Sequence, residues 1–298
     1  MASSEAEAII AAATANATGK PNGLDRSPIQ LVPFYDLTEP ILTNTYVVKG
    51  WIVKGAIVLI FGEPGCGKSF LALDLAMTLA AGRPTWFGYR AHGGRVVYLA
   101  AEAGNTIRNQ IAVWARERWD GQEDVDLHVI TSPVDLCKLS NVDVPRLIMA
   151  IGKTDVLIVD TVSRAMAGGN ENAPDDMGKF VAALDRLREG LGCTIIAVHH
   201  PGKDLERGSR GHTILTCAAD VWILIERSKI DEDGDQVVTS IATLQRQRDG
   251  PAGTKISFKL RAVYLGDDED GDPVTSCVVE PIEVLLQRRL ARISHTGF

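Results

Sequence analysis

The segment GEPGCGKS, Gly62 to Ser69, fits the pattern G-x-x-x-x-G-K-[ST] and lies between the apolar run AIVLIF and the helical stretch FLALDLAMTLAAG. Glycines let a backbone curl until successive N–H groups converge on one point, and a helix starting there adds its dipole. The chemistry this serves is phosphate binding. Gly62, Glu63, Pro64, Gly65, Cys66 and Gly67 form the expected cradle, with Phe70 just beyond it. Lys68 is placed to bridge β- and γ-phosphates and Ser69 to ligate Mg²⁺, so ATP and Mg²⁺ are the expected ligands. Cys66 falls at a variable position, where a small side chain suffices. No base-reading motif separates adenine from guanine.

Two carboxylates complete such a site. DVLIVDT ends an apolar run in Asp160, which resembles a Walker B acid holding the magnesium ion. RVVYLAAE ends in Glu102, and the C-terminal tip of a central strand faces the crevice where open α/β sheets bind ligands. A carboxylate there can orient and deprotonate the water that attacks a γ-phosphate. Glu102 follows the strand after the phosphate loop's helix, whereas Asp160 ends a later one. That order belongs to RecA-like ATPases rather than to the AAA+ type.

The elements that must position these residues alternate along the chain. Ala56–Phe61, Arg95–Glu102, Asp155–Asp160, Cys193–His200 and Asp220–Glu226 are apolar on both alternating faces, as central strands covered by helices are. Met177, Phe180, Val181, Leu184 and Leu187 recur at helical spacing, and Gly192 is positioned to end that helix. Ile107, Ile111 and Trp114 mark another helix, with Asn105 or Thr106 as its cap. Alternation of this kind predicts a mostly parallel central sheet flanked by helices. After Glu226 strand-like segments follow, separated by DEDGD and RDGPAG, which predict C-terminal antiparallel hairpins. A calcium loop in the acidic turns would need Lys229 or Gly266 as first ligand and Ser240 or Cys277 as twelfth, the wrong residues for that ion. The expected organisation is a flexible tail over 1–29, one RecA-like P-loop NTPase domain over 30–290 and a short tail over 291–298.

The chain has 298 residues and a net charge of -7, which argues against a surface coated for nucleic acid. Its five cysteines show no C-x-x-C pair, so a reduced, cytoplasmic protein without structural zinc is expected. No run has the length of a membrane span, and the N-terminal segment lacks the basic start of a signal peptide.

Taken in order, GEPGCGKSFLALDLA, VVYLAAEAG, VLIVDTVSR, GCTIIAVHHPGK and SRGHTIL resemble the RepA-type hexameric replicative helicases of plasmids, and related RecA-like AAA family ATPases of phages and prophages. The resemblance covers roughly residues 30 to 285. It implies that Lys68, Glu102 and Asp160 take the roles given above. It further implies that His199 or His200 senses the γ-phosphate and that Arg210 enters the neighbouring subunit's site. Other RecA-like branches use a K-x-R pair for that purpose; here the position reads Arg246-Gln247-Arg248, with arginine for lysine. A homo-oligomer, hexameric in the family, follows from a trans-acting arginine.

Three functions fit these parts. The first is a ring that translocates on single-stranded DNA, with Arg164, Lys203 and Arg207 as candidate contacts. Asp204 and Glu206 nearly cancel the charge of the latter two, and no aromatic residue offers a stacking platform. The second is a non-translocating switch, such as a recombination mediator or helicase loader. The third, a small-molecule kinase, lacks the arginine-rich lid that such enzymes carry.

Overall fold

The computed structural model describes residues 31–40, 42, 45–102, 104–122, 124–200, 210–232, 235–248 and 250–282. The chain divides into two units, residues 1–40 and 41–298. In the first, Phe34–Leu37 form a single 3-10 turn whose Phe34 and Tyr35 rings meet edge to face and stay exposed.

The second unit is built on a nine-stranded sheet. Its parallel part contains β3 (Ile57–Phe61), β6 (Val96–Ala100), β7 (Leu127–Ile130), β8 (Val156–Asp160), β9 (Thr194–His199) and β10 (Val221–Glu232). Its antiparallel part adds β11 (Asp235–Gln247), β12 (Lys255–Asp267) and β13 (Pro273–Pro281). The order across the sheet is β13-β12-β11-β10-β3-β9-β8-β6-β7. Two small hairpins, β1 (Tyr46–Val48) with β2 (Ile52–Val53) and β4 (Thr85–Trp86) with β5 (Tyr89–Arg90), lie outside it. The α/β architecture expected from the sequence, mostly parallel with antiparallel C-terminal strands, is the one observed.

Every residue of β3, β6, β8 and β9 is buried, which explains their uninterrupted apolar runs. The helices are α1 (Lys68–Ala80), α2 (Ile107–Arg118), α3 (Ser140–Ile151), α4 (Val162–Ala165), α5 (Pro174–Leu191) and α6 (Arg210–Ala218). They pack against both faces and form two large cores, beside a small cluster of Val113, Val263 and Val278. One core joins α1 to the sheet and to Phe258 and Val279 of the C-terminal strands; the other holds α3 and α5. Gly192 ends α5 in a left-handed conformation, as its position predicts. Thr106, by contrast, makes no side-chain cap bond to α2, which instead continues a 3-10 turn over Gly104–Thr106. Among the described residues, no helix is long and apolar enough to cross a membrane.

Because α1 is apolar nearly all round, it needs cover on its outer side, and the C-terminal strands supply it. The joint is polar at one point. Asp74, buried on α1, accepts Trp86 Nε1 at 3.0 Å and pairs with Arg118 at 2.7 Å, while Arg118 also donates to the Val279 carbonyl. Burial pushes the Asp74 carboxyl above its usual range, and the Arg118 charge opposes that shift. Breaking a buried pair strands the remaining charge, so Asp74→Ala is expected to lower stability by about 3 kcal/mol. Urea unfolding checks this, and an unchanged midpoint would show that the pair holds nothing.

Candidate functional site

The site begins where β3 leaves the sheet. Phe61 is its last residue, and the chain turns through Gly62–Gly67 into α1. Gly62 passes so close to the next strand that a Cβ there would lie 2.1 Å from the Ile225 carbonyl oxygen. Gly67, at φ +91°, takes the left-handed conformation that starts α1. Both positions require glycine for reasons of space or backbone, independent of any ligand.

Lys68 is buried at the head of α1, and its Nζ donates to the carbonyls of Gly62 and Glu63, each at 2.7 Å. Cys66 Sγ lies 3.7 Å from the same nitrogen. Burial lowers the Lys68 pKa and raises that of the Cys66 thiol. Glu63, Pro64 and Gly65 are exposed at the rim of the loop.

Parallel register brings the acids to this loop. β6 pairs with β8 so that Ala100 faces Asp160, while β3 pairs with β9 so that Phe61 faces His199. Ser69 Oγ donates to Asp160 Oδ1 at 3.1 Å, and the Tyr98 hydroxyl donates to Asp160 Oδ2 at 2.6 Å. Burial raises the Asp160 pKa, and these two donors counter it. Burial, reinforced by the Asp160 charge, lifts the Tyr98 phenol well above its usual range. Tyr98 escapes sequence reasoning because tyrosine on an apolar strand reads as core. The only sequence signal is that a phenol inside a buried strand needs a partner.

Glu102 lies in the turn two residues past β6, which ends sooner than its apolar run predicts, and its N–H donates to the Asp160 carbonyl at 3.2 Å. Its half-exposed carboxylate is 3.6 Å from His200 Nε2. Burial and then the Lys68 charge lower the His200 pKa, so the imidazole is neutral at neutral pH. Of the two histidines, His200 lines the cleft, and His199 is buried at the end of β9. Lys68, Ser69, Glu102, Asp160 and His200 together border an open cleft of about 310 Å³, with Phe70 at its wall. A hydroxyl and a carboxylate oxygen at hydrogen-bond distance suit Mg²⁺, which takes one or two protein carboxylates and completes its shell with phosphate and water.

Among the described basic candidates, Arg164, Arg246 and Arg248 do not line the cleft. Arg164 is exposed on α4, four residues after Asp160. Arg210 is the first residue of α6. Lys203 and Arg207 lie outside the described residues. Arg246 stacks over the Trp222 ring at 4.9 Å, and Arg248 pairs with Asp220 at 2.9 Å. Asp220 also accepts the Ile57 N–H at 2.9 Å, which places this cluster at the start of β3, the end away from the phosphate loop. A further arginine that spacing did not reveal, Arg227 on β10, donates to the Gly65 carbonyl from Nε at 3.1 Å and from a terminal nitrogen at 2.6 Å.

Comparison with known proteins adds to this geometry. A family profile described as AAA domain matches residues 24–206, more than half of the chain. The DNA repair and recombination protein RadB of Methanobrevibacter smithii is 25% identical over 243 residues, spanning 76% of this chain and 95% of that protein. The protein of the same name from Methanosphaera stadtmanae is 24% identical over 246 residues, with 76% and 95% covered. Among solved structures, a KaiC-like protein from Pyrococcus horikoshii is similar at TM-score 0.49 and 18% identity, covering 79% of this chain and 94% of its own. The flagellar accessory protein FlaH from Methanocaldococcus jannaschii gives TM-score 0.45 and 20% identity, with 76% and 90% covered.

Tyr98→Phe keeps the packed ring and removes one donor from a buried carboxylate, so it should cost about 1–2 kcal/mol of stability. Thermal melting at neutral pH measures this. A variant that melts with the parent chain would show that the phenol does not hold Asp160.

Proposed function

Because the chain belongs to the AAA domain family, we propose that the cleft at the end of β3 binds and hydrolyses ATP with Mg²⁺, in an oligomer that acts in DNA recombination, repair or replication. One observation carries the reading: Lys68, Ser69, Glu102, Asp160 and His200 come from four separate segments and border a single cleft. The order of these residues along the chain, with the general base Glu102 just past β6 and ahead of Asp160, supports a RecA-like cycle. The similarity to proteins named for DNA repair and recombination supports a DNA-directed role.

Each residue has a task that its surroundings suit. The loop amides and Lys68 bind the β- and γ-phosphates; Ser69 and Asp160 are the residues that would hold the ion. Bound there, Mg²⁺ offsets the charge that develops on the phosphoryl oxygens. Glu102, half-exposed beside the cleft, takes a proton from the attacking water. His200, neutral and 3.6 Å from Glu102, hydrogen-bonds the γ-phosphate or that water and registers its loss.

The trans-acting arginine is Arg210 on this reading. It opens α6, a short distance along the chain from His200, so a change at the γ-phosphate is relayed over few residues. Arg246 and Arg248 rank behind it, because their guanidinium groups already serve Trp222 and Asp220. Such a finger contributes about 10³–10⁵ in rate. Mixing Arg210→Ala with Glu102→Ala subunits should therefore restore part of the hydrolysis that each lacks alone, measured as phosphate release at fixed total protein. Absence of rescue at every ratio would remove Arg210 from the neighbour's site.

Two DNA-directed modes remain. A recombination mediator or loader that switches assembly state is the mode that the RadB-named relatives support. A RepA-like hexameric ring that translocates on single-stranded DNA is the second, and the exposed Arg164 on the short helix that follows Asp160 favours it. Hydrolysis with and without single-stranded DNA separates them. The ring requires a rate that rises with DNA and falls with salt, whereas a switch tolerates a DNA-independent rate. In the same assay Lys68→Ala should lose about 10²–10³-fold; turnover retained in that variant would end the phosphate-site reading itself.

A further inference from the structure

A loop that points its N–H groups at an anion turns its carbonyls outward, and each buried carbonyl needs a donor of its own. Within the loop, Lys68 serves Gly62 and Glu63, and the Leu71 N–H serves Gly67 at 2.9 Å. Donors to the Gly65 and Cys66 carbonyls come from more than 150 residues away along the chain. Arg227 donates to Gly65, and Ser240 Oγ, buried, donates to Cys66 at 2.8 Å.

These two residues are partners. In the antiparallel pairing of β10 with β11, Arg227 stands opposite Ser240, and in the pairing of β11 with β12, Ser240 stands opposite Phe258. The Phe258 ring in turn lies against Gly67, where a Cβ would come within 3.1 Å of it. A single rung across three strands thus meets Gly65, Cys66 and Gly67 in sequence order. Two residues earlier on β10, the Ile225 carbonyl walls off Gly62.

We propose that this rung is a clamp that holds the phosphate loop in its anion-binding curl, with Arg227 and Ser240 as positioning residues for nucleotide binding. Neither borders the cleft, so they act through the loop carbonyls and not by touching phosphate. Arg227 contributes in a second way, since its charge beside Gly65 favours a polyphosphate in the adjacent cradle. The inference rests on reading the cleft as an ATP site.

The test uses the full chain and a fluorescent ADP analogue with Mg²⁺, alongside steady-state ATP hydrolysis. Arg227→Ala and Ser240→Ala should each weaken ADP binding by about tenfold, the size expected for one lost hydrogen bond to a buried or charged partner. The loss should fall mainly in KM, with much less in kcat, because the catalytic groups keep their places. Arg227→Lys, which retains a donor and the charge, should recover most of the affinity, a rescue that a general loss of packing would not give. Amide exchange over residues 62–67 should quicken in Arg227→Ala. If both alanine variants bind ADP within twofold of the parent while Lys68→Ala binds poorly, the clamp is wrong. If Arg227→Ala does not fold, Arg227→Lys and Arg227→Gln decide: equal affinities overturn the proposal, and a weaker glutamine variant supports it. If the parent and Lys68→Ala bind ADP equally weakly, the nucleotide reading fails and not the clamp alone.

Discussion

Asp160 sets a carboxylate where burial disfavours charge, and any charge there demands hydrogen-bond donors. Two donors from different parts of the chain meet that demand, the Tyr98 phenol from β6 and the Ser69 hydroxyl from α1. Their geometry depends on parallel register, because a shift of β6 against β8 by one residue would turn Tyr98 to the other face of the sheet. It depends equally on the turn from β3 into α1, which sets Ser69 above the strand ends. Sheet order, register and loop shape therefore converge on one side chain, and the uniformly buried strands supply the rigidity this needs.

Strands β3, β6, β8 and β9 were legible in the sequence because each is buried on both faces and so is apolar throughout. Asp160, the last residue of β8, and Glu102 and His200, just past the ends of β6 and β9, could be placed beside the phosphate loop for the same reason. Where burial is partial the signal fades. β7 is a half-buried edge strand with no continuous apolar run, and α3 carries Pro145 inside it, a residue that normally argues against a helix. Tyr98 and Ser240 were hidden differently, since each is an ordinary strand residue until its partner across the fold is known.

The arginines show how spacing can mislead about purpose. Arg246 and Arg248 stand two residues apart, the interval that in related ATPases marks a pair reaching across to a neighbour. Within this subunit both have partners: one covers Trp222, and the other joins Asp220, which also fixes the first amide of β3. Arg227 carries no signal in the sequence, as a lone charged residue on a strand usually faces solvent, yet it grips the phosphate loop. What separates the three is the end of the sheet at which each guanidinium lies.

The rung of Arg227, Ser240 and Phe258 lies beyond residue 206, where the family match ends. It has a consequence for how the chain is made. A ribosome releases β3, the phosphate loop and α1 early, and the carboxylates on β6 and β8 soon after. At that stage two carbonyls of the loop still lack the donors that will grip them. If the rung is the clamp proposed above, the loop closes into its final curl only after β10, β11 and β12 have emerged and joined the sheet beside β3. The proposed nucleotide cleft would thus be among the last parts of the domain to be finished, although the GEPGCGKS motif is among the first to be translated. A chain truncated after residue 206 would carry the whole motif and an unsupported loop.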